Sequence, residues 1–184
     1  RLVFYELAGP EGEGPPSYDL RVFNLSGDRH ADLLLHGPQS QLSGEISPDG
    51  RWLAYESDES KQAEVYVRPF PNVEGGRSQV SNGGGTRPAW ARSGRELFYY
   101  VAPGKIMAVS VQEGTRLAFG PPQVVVDGRY PPHAAGRTYD VSLDGKRFLL
   151  IKDATPTTSS PPPPPQLVVV LNWFEELKRV VPKK

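Results

Sequence analysis

The sequence predicts an all-β chain built from a repeated unit, and three observations lead there. One strand-like phrase recurs four times at nearly constant spacing, a Gly-containing turn precedes three of the copies, and further runs of β-branched and aromatic residues follow each copy. Arg1-Leu2-Val3-Phe4-Tyr5-Glu6 aligns without gaps on Arg51-Trp52-Leu53-Ala54-Tyr55-Glu56 at a shift of 50 residues. Arg95-Glu96-Leu97-Phe98-Tyr99-Tyr100 follows 44 residues later, and Lys146-Arg147-Phe148-Leu149-Leu150-Ile151 after a further 51. The turns are Ser47-Pro48-Asp49-Gly50, Arg92-Ser93-Gly94 and Leu143-Asp144-Gly145. Asp-Gly or Ser-Gly between two apolar runs is hairpin chemistry, because Gly accepts positive φ and the short polar side chain bonds the turn backbone.

Each element then follows in order. A short inner strand ends at Glu45-Ile46, Ala89-Trp90 or Asp140-Val141, just before its turn. The aligned phrase is the second strand. Third strands are predicted at 20–25, 64–67, 105–111 and 166–172, and weaker outer strands at 32–35, 78–81 and 123–126. Four strands per 44 to 51 residues is the period of a β-propeller blade, a four-stranded sheet that buries both faces against its neighbours. The expected architecture is a partial β-propeller of about three and a half blades spanning residues 1–172, with blades at about 1–36, 42–82, 86–127 and 137–172. The first blade lacks an inner strand and the last an outer one, so upstream blades are expected to close the ring, which needs about four to eight. A fragment cut in this way is expected to self-associate through unpaired edges and apolar faces.

Residues 173–184 are predicted to form a short C-terminal helix and tail. Asn172 and Glu175 make a capping-box pattern, Trp173, Leu177 and Val180 share a stripe, and Lys178 and Arg179 precede Pro182. A helix of that length is marginal alone and must dock through its stripe. The Pro161–Pro165 run reads as a stiff polyproline II spacer in the last blade, with docking to an aromatic groove as the alternative.

Composition excludes several functions. With 21 basic and 21 acidic residues the chain has no net charge, which disfavours nucleic acid and other polyanions as partners. The absence of Cys removes disulfides, thiolate metal sites and thiol catalysis together. The longest apolar run, Leu167 to Leu171, is far short of a membrane span, so no direct membrane insertion is expected in this segment. Pro and Gly make up about a fifth of the residues, below the roughly 25–30% of low-complexity chains.

No catalytic constellation stands out. Asp49 and Asp144 occupy equivalent turn positions and read as turn caps rather than an acid–base pair or calcium ligands. Gly83-Gly84-Gly85-Thr86 precedes Arg87-Pro88 and a strand, whereas a phosphate cradle needs a helix start, so it reads as a tight interblade loop. His30, His36 and His133 lack metal-ligand spacing, and no nucleophile elbow or ordered triad is present. No cofactor, metal or catalytic residue is therefore assigned.

The phrases Ile46-Ser47-Pro48-Asp49-Gly50-Arg51-Trp52-Leu53-Ala54-Tyr55 and Tyr139-Asp140-Val141-Ser142-Leu143-Asp144-Gly145-Lys146-Arg147-Phe148 resemble the WD-repeat-like blades of TolB-type propellers. More narrowly, Glu64-Val65-Tyr66-Val67-Arg68-Pro69-Phe70-Pro71, the Gly83–Thr86 stretch and the ending Val170-Leu171-Asn172-Trp173-Phe174-Glu175-Glu176-Leu177-Lys178-Arg179 look like the C-terminal propeller of bacterial serine/threonine protein kinases. That resemblance implies a non-catalytic binding or sensor module on a membrane-anchored kinase, facing the periplasm. Similar propellers gate serine peptidases or stand alone as periplasmic scaffolds, and both remain alternatives. Kinase chemistry does not transfer, because this chain has no Gly-rich nucleotide loop, His-Arg-Asp or Asp-Phe-Gly motif.

Propeller topology sharpens one expectation. Loops joining second to third strands emerge on the same rim as those joining an outer strand to the next inner one. That rim carries the stretches 8–17, 57–61, 129–137 and 152–165, and rigidly held loops are where binding residues concentrate. Arg87, Arg129, Tyr130, His133 and Arg137, near the channel mouth, are the candidate residues for a protein or small-molecule ligand.

Overall fold

The computed structural model describes residues 1–8, 17–27, 29–112, 117–128, 130 and 136–151. These residues form an all-β unit of antiparallel sheets stacked in sequence order, the propeller-type architecture that the repeat predicts. The first sheet holds β1 (Leu2–Leu7), β2 (Tyr18–Phe23) and β3 (Ala31–Leu35). The second holds β4 (Gln41–Ile46), β5 (Trp52–Ser57), β6 (Glu64–Pro69) and β7 (Ser78–Gln79). In the third, β8 (Thr86–Trp90), β9 (Glu96–Val101) and β10 (Lys105–Gln112) lie side by side. Two short strands share the outer edge of β10: β11 (Ala118–Phe119) pairs with its end and β12 (Gln123–Asp127) with its start. The fourth comprises β13 (Tyr139–Val141) and β14 (Phe148–Leu150).

Period-two alternation explains how these sheets stack. In β5, Leu53 and Tyr55 face the first sheet, packing with Leu20, Val22 and Leu35, while Ala54 faces the third. In β9, Leu97 and Tyr99 point back to the second sheet, and Phe98 and Tyr100 point on to Tyr139 and Phe148 of the fourth. Three separate cores result, one per seam. Strands β5 and β9 read as near-continuous hydrophobic runs because both of their faces are covered.

The three predicted turns share one geometry. Ser47 N–H donates to the Trp52 carbonyl and Ser142 N–H to that of Arg147, at 2.8 and 2.9 Å. In each case the Ser hydroxyl bonds the Asp two residues on, and that Asp accepts the N–H of Arg51 or Lys146 at 3.1 Å. Ala91 and Glu96 close the middle turn in the same way, at 2.9 Å, with Ser93 in place of the Asp. Gly50, Gly94 and Gly145 take φ of 74°, 71° and 71°, the left-handed conformation that selects Gly there.

Three expectations need amendment. The third sheet contains an extra strand, β11, because β10 runs to eight residues and offers more edge than one outer strand covers. The outer strand of the second sheet is only the two residues of β7, beyond which Val80 and Ser81 turn in towards Val65. The second strand of the fourth sheet is shortened to Phe148–Leu150. The strand expected at 166–172, the polyproline run and the helix expected at 173–184 lie outside the described residues.

Candidate functional site

The inner strands β4 and β8 each carry a β-bulge at the same place in the repeat. Leu42 pairs with Glu56 and Glu45 with Ala54; correspondingly, Thr86 pairs with Tyr100 and Ala89 with Phe98. The two residues left unpaired begin with Ser43 and Arg87, at φ 52° and 53°. Positive φ is uncommon for residues other than Gly, and a bulge re-aims side chains while sharpening the local twist. At Arg87 the bulge turns the N–H to the Glu56 carboxylate at 2.7 Å and the carbonyl to the Tyr139 hydroxyl, also at 2.7 Å. The Arg87 guanidinium lies over the Tyr100 ring, 5.7 Å from its centre.

Arg137 closes the neighbouring part of the network. Its guanidinium pairs with the Glu45 carboxylate and donates to the Pro88 carbonyl at 3.2 Å, while Nε donates to the Tyr139 carbonyl at 3.2 Å. Asp140 lies 3.6 Å from the same guanidinium. Three inner strands, β4, β8 and β13, are thus joined by one arginine. Trp90 strengthens the junction by donating its indole N–H to the Glu45 carbonyl at 3.1 Å and its backbone N–H to the Glu45 carboxylate at 3.3 Å.

Burial sets the electrostatics. It raises the Glu45 carboxyl above its ordinary range, and the Arg137 charge and hydrogen bond only partly reverse this. It also raises the phenols of Tyr139 and Tyr100, against the lowering influence of Arg137 and Arg87 respectively. Neither phenol ionises near neutral pH, so Tyr139 remains a donor to Arg87. About a third of the Arg137 and Glu45 side chains remains exposed. The pair therefore faces solvent on one side while holding the strands together on the other.

Of the five candidates, Arg87 and Arg137 come together around Tyr139. Tyr130 joins through its carbonyl, which accepts the Tyr100 hydroxyl at 2.9 Å, and a Cβ on Gly128 would come within 2.4 Å of its ring. Arg129 and His133 lie outside the described residues. Glu45, Tyr100 and Tyr139 are participants that sequence reasoning missed. Glu45 and Arg137 stand 92 positions apart, and only the equivalence of inner strands in the repeat could have suggested that they meet.

The Gly-rich stretch has its own internal anion. Glu64, 1% exposed, accepts the N–H groups of Gly83 and Gly84 at 2.8 and 2.9 Å and the Ser81 hydroxyl. A phosphate cradle is thus filled by a carboxylate of the same chain. Among the described residues no three His, Asp or Glu side chains gather into a set able to hold a metal.

No protein-family model matches the chain. Among solved structures it is similar to TolB from Acinetobacter baumannii, at 18% sequence identity and a TM-score of 0.48. The match covers 84% of this chain and 48% of that one, so the chain spans about half the length of the protein it resembles.

Proposed function

We propose that this chain is a non-catalytic interaction module that binds a protein or small-molecule ligand on the rim carrying Arg87, Tyr130 and Arg137. The bulge at Arg87 carries the reading. Ser43 repeats the bulge in β4, but at Arg87 the same left-handed turn sets a guanidinium over Tyr100 and beside the Tyr139–Arg137 cluster, which fits a position where the side chain serves recognition. Arg129 and His133 belong to the same proposed face by their place in the sequence. The phrases shared with the C-terminal propellers of bacterial serine/threonine kinases favour a sensor on such a kinase.

The conformation of Arg87 supplies a clean test. Its backbone groups bond Glu56 and Tyr139, and Gly suits a φ of 53°, so Arg87→Gly keeps the scaffold while deleting the guanidinium. A photo-crosslinking residue replacing Tyr130 in producing cells should give a discrete adduct that Arg87→Gly abolishes. The same residue replacing Leu143, which is exposed on a hairpin turn, should not give that adduct. Identical adducts from both positions, or adducts indifferent to Arg87→Gly, would sink the reading. Kinase motifs and a membrane span encoded upstream would support the kinase assignment; a hydrolase domain would favour the peptidase-gating alternative.

A further inference from the structure

A cavity of about 280 Å³ opens between the second and third sheets, at the end of β8 opposite Arg87. It lies between the hairpin turn that carries Asp49 and the one that carries Arg92. Trp90, in its wall, follows Arg87 by three residues along β8, roughly 10 Å at about 3.3 Å per residue. Its walls are Trp52, Trp90, Val111 and Leu117. A dry apolar cavity of about 150 Å³ already accommodates benzene, so this one admits a single ring with a short polar arm.

The polar groups at the cavity are unequally satisfied. Asp49 is fully engaged, accepting the Ser47 hydroxyl and the Arg51 backbone N–H and pairing with Arg51 Nε at 2.6 Å. Its negative charge is therefore compensated by a neighbour outside the cavity lining. Arg92, by contrast, is exposed and has no hydrogen bond, ion pair or ring contact among the described residues. The Trp90 indole N–H is spent on the Glu45 carbonyl, while that of Trp52 is buried without an acceptor. Arg92 is thus a cation, beside apolar walls, whose charge no described neighbour balances.

From this we infer that the seam cavity binds a small aromatic monocarboxylate, its ring between the two tryptophans and its carboxylate paired with Arg92. A guanidinium and a carboxylate form a charge-assisted, bidentate pair, which gives the orientation that apolar walls alone lack. The site opens at the other end of the strands and stands whether or not the Arg87 rim binds a partner, although Trp90 in its wall also bonds Glu45 of that network.

The full chain, titrated with 3-phenylpropionate and followed by tryptophan emission, should show a saturable change. 3-Phenylpropanol, with the same ring and no charge, should bind at least tenfold more weakly, and 3-phenylpropylamine more weakly still. Arg92→Gln should reduce the affinity for the acid to that for the alcohol and leave the alcohol unchanged, whereas Arg92→Lys should retain a preference for the acid. Equal affinity for acid and alcohol, tighter binding of the amine, indifference to Arg92→Gln, or no saturable response to any probe would each overturn the inference.

Discussion

The hydroxyl of Tyr139 donates to the carbonyl of Arg87 at 2.7 Å, tying β13 to the bulge of β8 across the seam between the third and fourth sheets. Tyr139 is only 4% exposed, so its hydroxyl has little access to water as a substitute partner. Tyr139→Phe keeps the ring in its core and removes this one bond. A loss of about 1–2 kcal/mol is expected in urea denaturation, the usual cost of stranding a buried acceptor. An unchanged midpoint would mean that the Arg87 carbonyl finds another donor.

Glu64 should be among the most sensitive positions in the chain. Its carboxylate satisfies two loop N–H groups and the Ser81 hydroxyl, which in turn accepts the Val65 N–H at 2.7 Å. Glu64→Ala strands the buried Ser81 hydroxyl and deprives the part-buried N–H groups of Gly83 and Gly84 of their acceptor, and is expected to cost about 2–3 kcal/mol; Ser81→Ala should cost about 1–2. Hydrogen exchange at Gly83 and Gly84 should accelerate in Glu64→Ala while the amides of β9 stay protected. Uniform acceleration would indicate global rather than local loosening.

Two glycines separate backbone conformation from packing. A Cβ on Gly50 would meet nothing within 4 Å, so Gly50→Ala pays only for φ of 74°, about 1 kcal/mol. A Cβ on Gly44 would lie 2.6 Å from Val3 Cγ1 and 3.1 Å from Leu20 Cδ2, in the seam between the first and second sheets. Gly44→Ala should therefore destabilise more, by about 1–3 kcal/mol as overpacking does. Val3→Ala should recover part of that loss in the double variant and nothing in the Gly50→Ala background.

Two carboxylates should tilt the pH dependence of stability in opposite directions. Slight burial of Asp49 works to raise its carboxyl, but hydrogen bonds from Ser47 and Arg51 outweigh it and hold the group below its ordinary 3.8. Its contribution is thus full above that value and fades as pH falls through the lower folded value. Glu45 is displaced above its ordinary 4.5, chiefly by burial. Its contribution is present below 4.5 and fades as pH rises through the folded value. Urea midpoints between pH 2.5 and 7 should show the advantage of the native chain over Asp49→Asn shrinking towards acid. Its advantage over Glu45→Gln should shrink towards neutral pH; parallel curves would contradict both assignments.

What the sequence revealed follows the range of the interactions involved. The hairpin turns were legible because Ser47, Asp49, Gly50 and Arg51 complete their bonding within a few residues, and the strands because alternation and β-branching are local. The role of Glu64 was hidden, since its loop partners follow 19 and 20 positions later and nothing in a Glu that opens a strand announces a cap. β11 escaped because two residues, Ala118 and Phe119, make no pattern. Arg87 and Arg137 were placed on one rim by topology. The bulge at Arg87 was not foreseen, because neither Ser43 nor Arg87 is a residue type that advertises positive φ.

The alternation of side chains along β5 and β6 also labels the two faces of the second sheet by size. Towards the first sheet they present Leu53, Tyr55 and Tyr66; towards the third they present Ala54, Val65 and Val67. The third sheet answers the shallow face with Trp90, Leu97 and Tyr99. A sheet inserted the wrong way round would set bulk against bulk at one seam and leave a void at the other. The order of the blades is thus written in side-chain volume, and a blade transplanted from one seam to another would need its facing residues exchanged before it could seat.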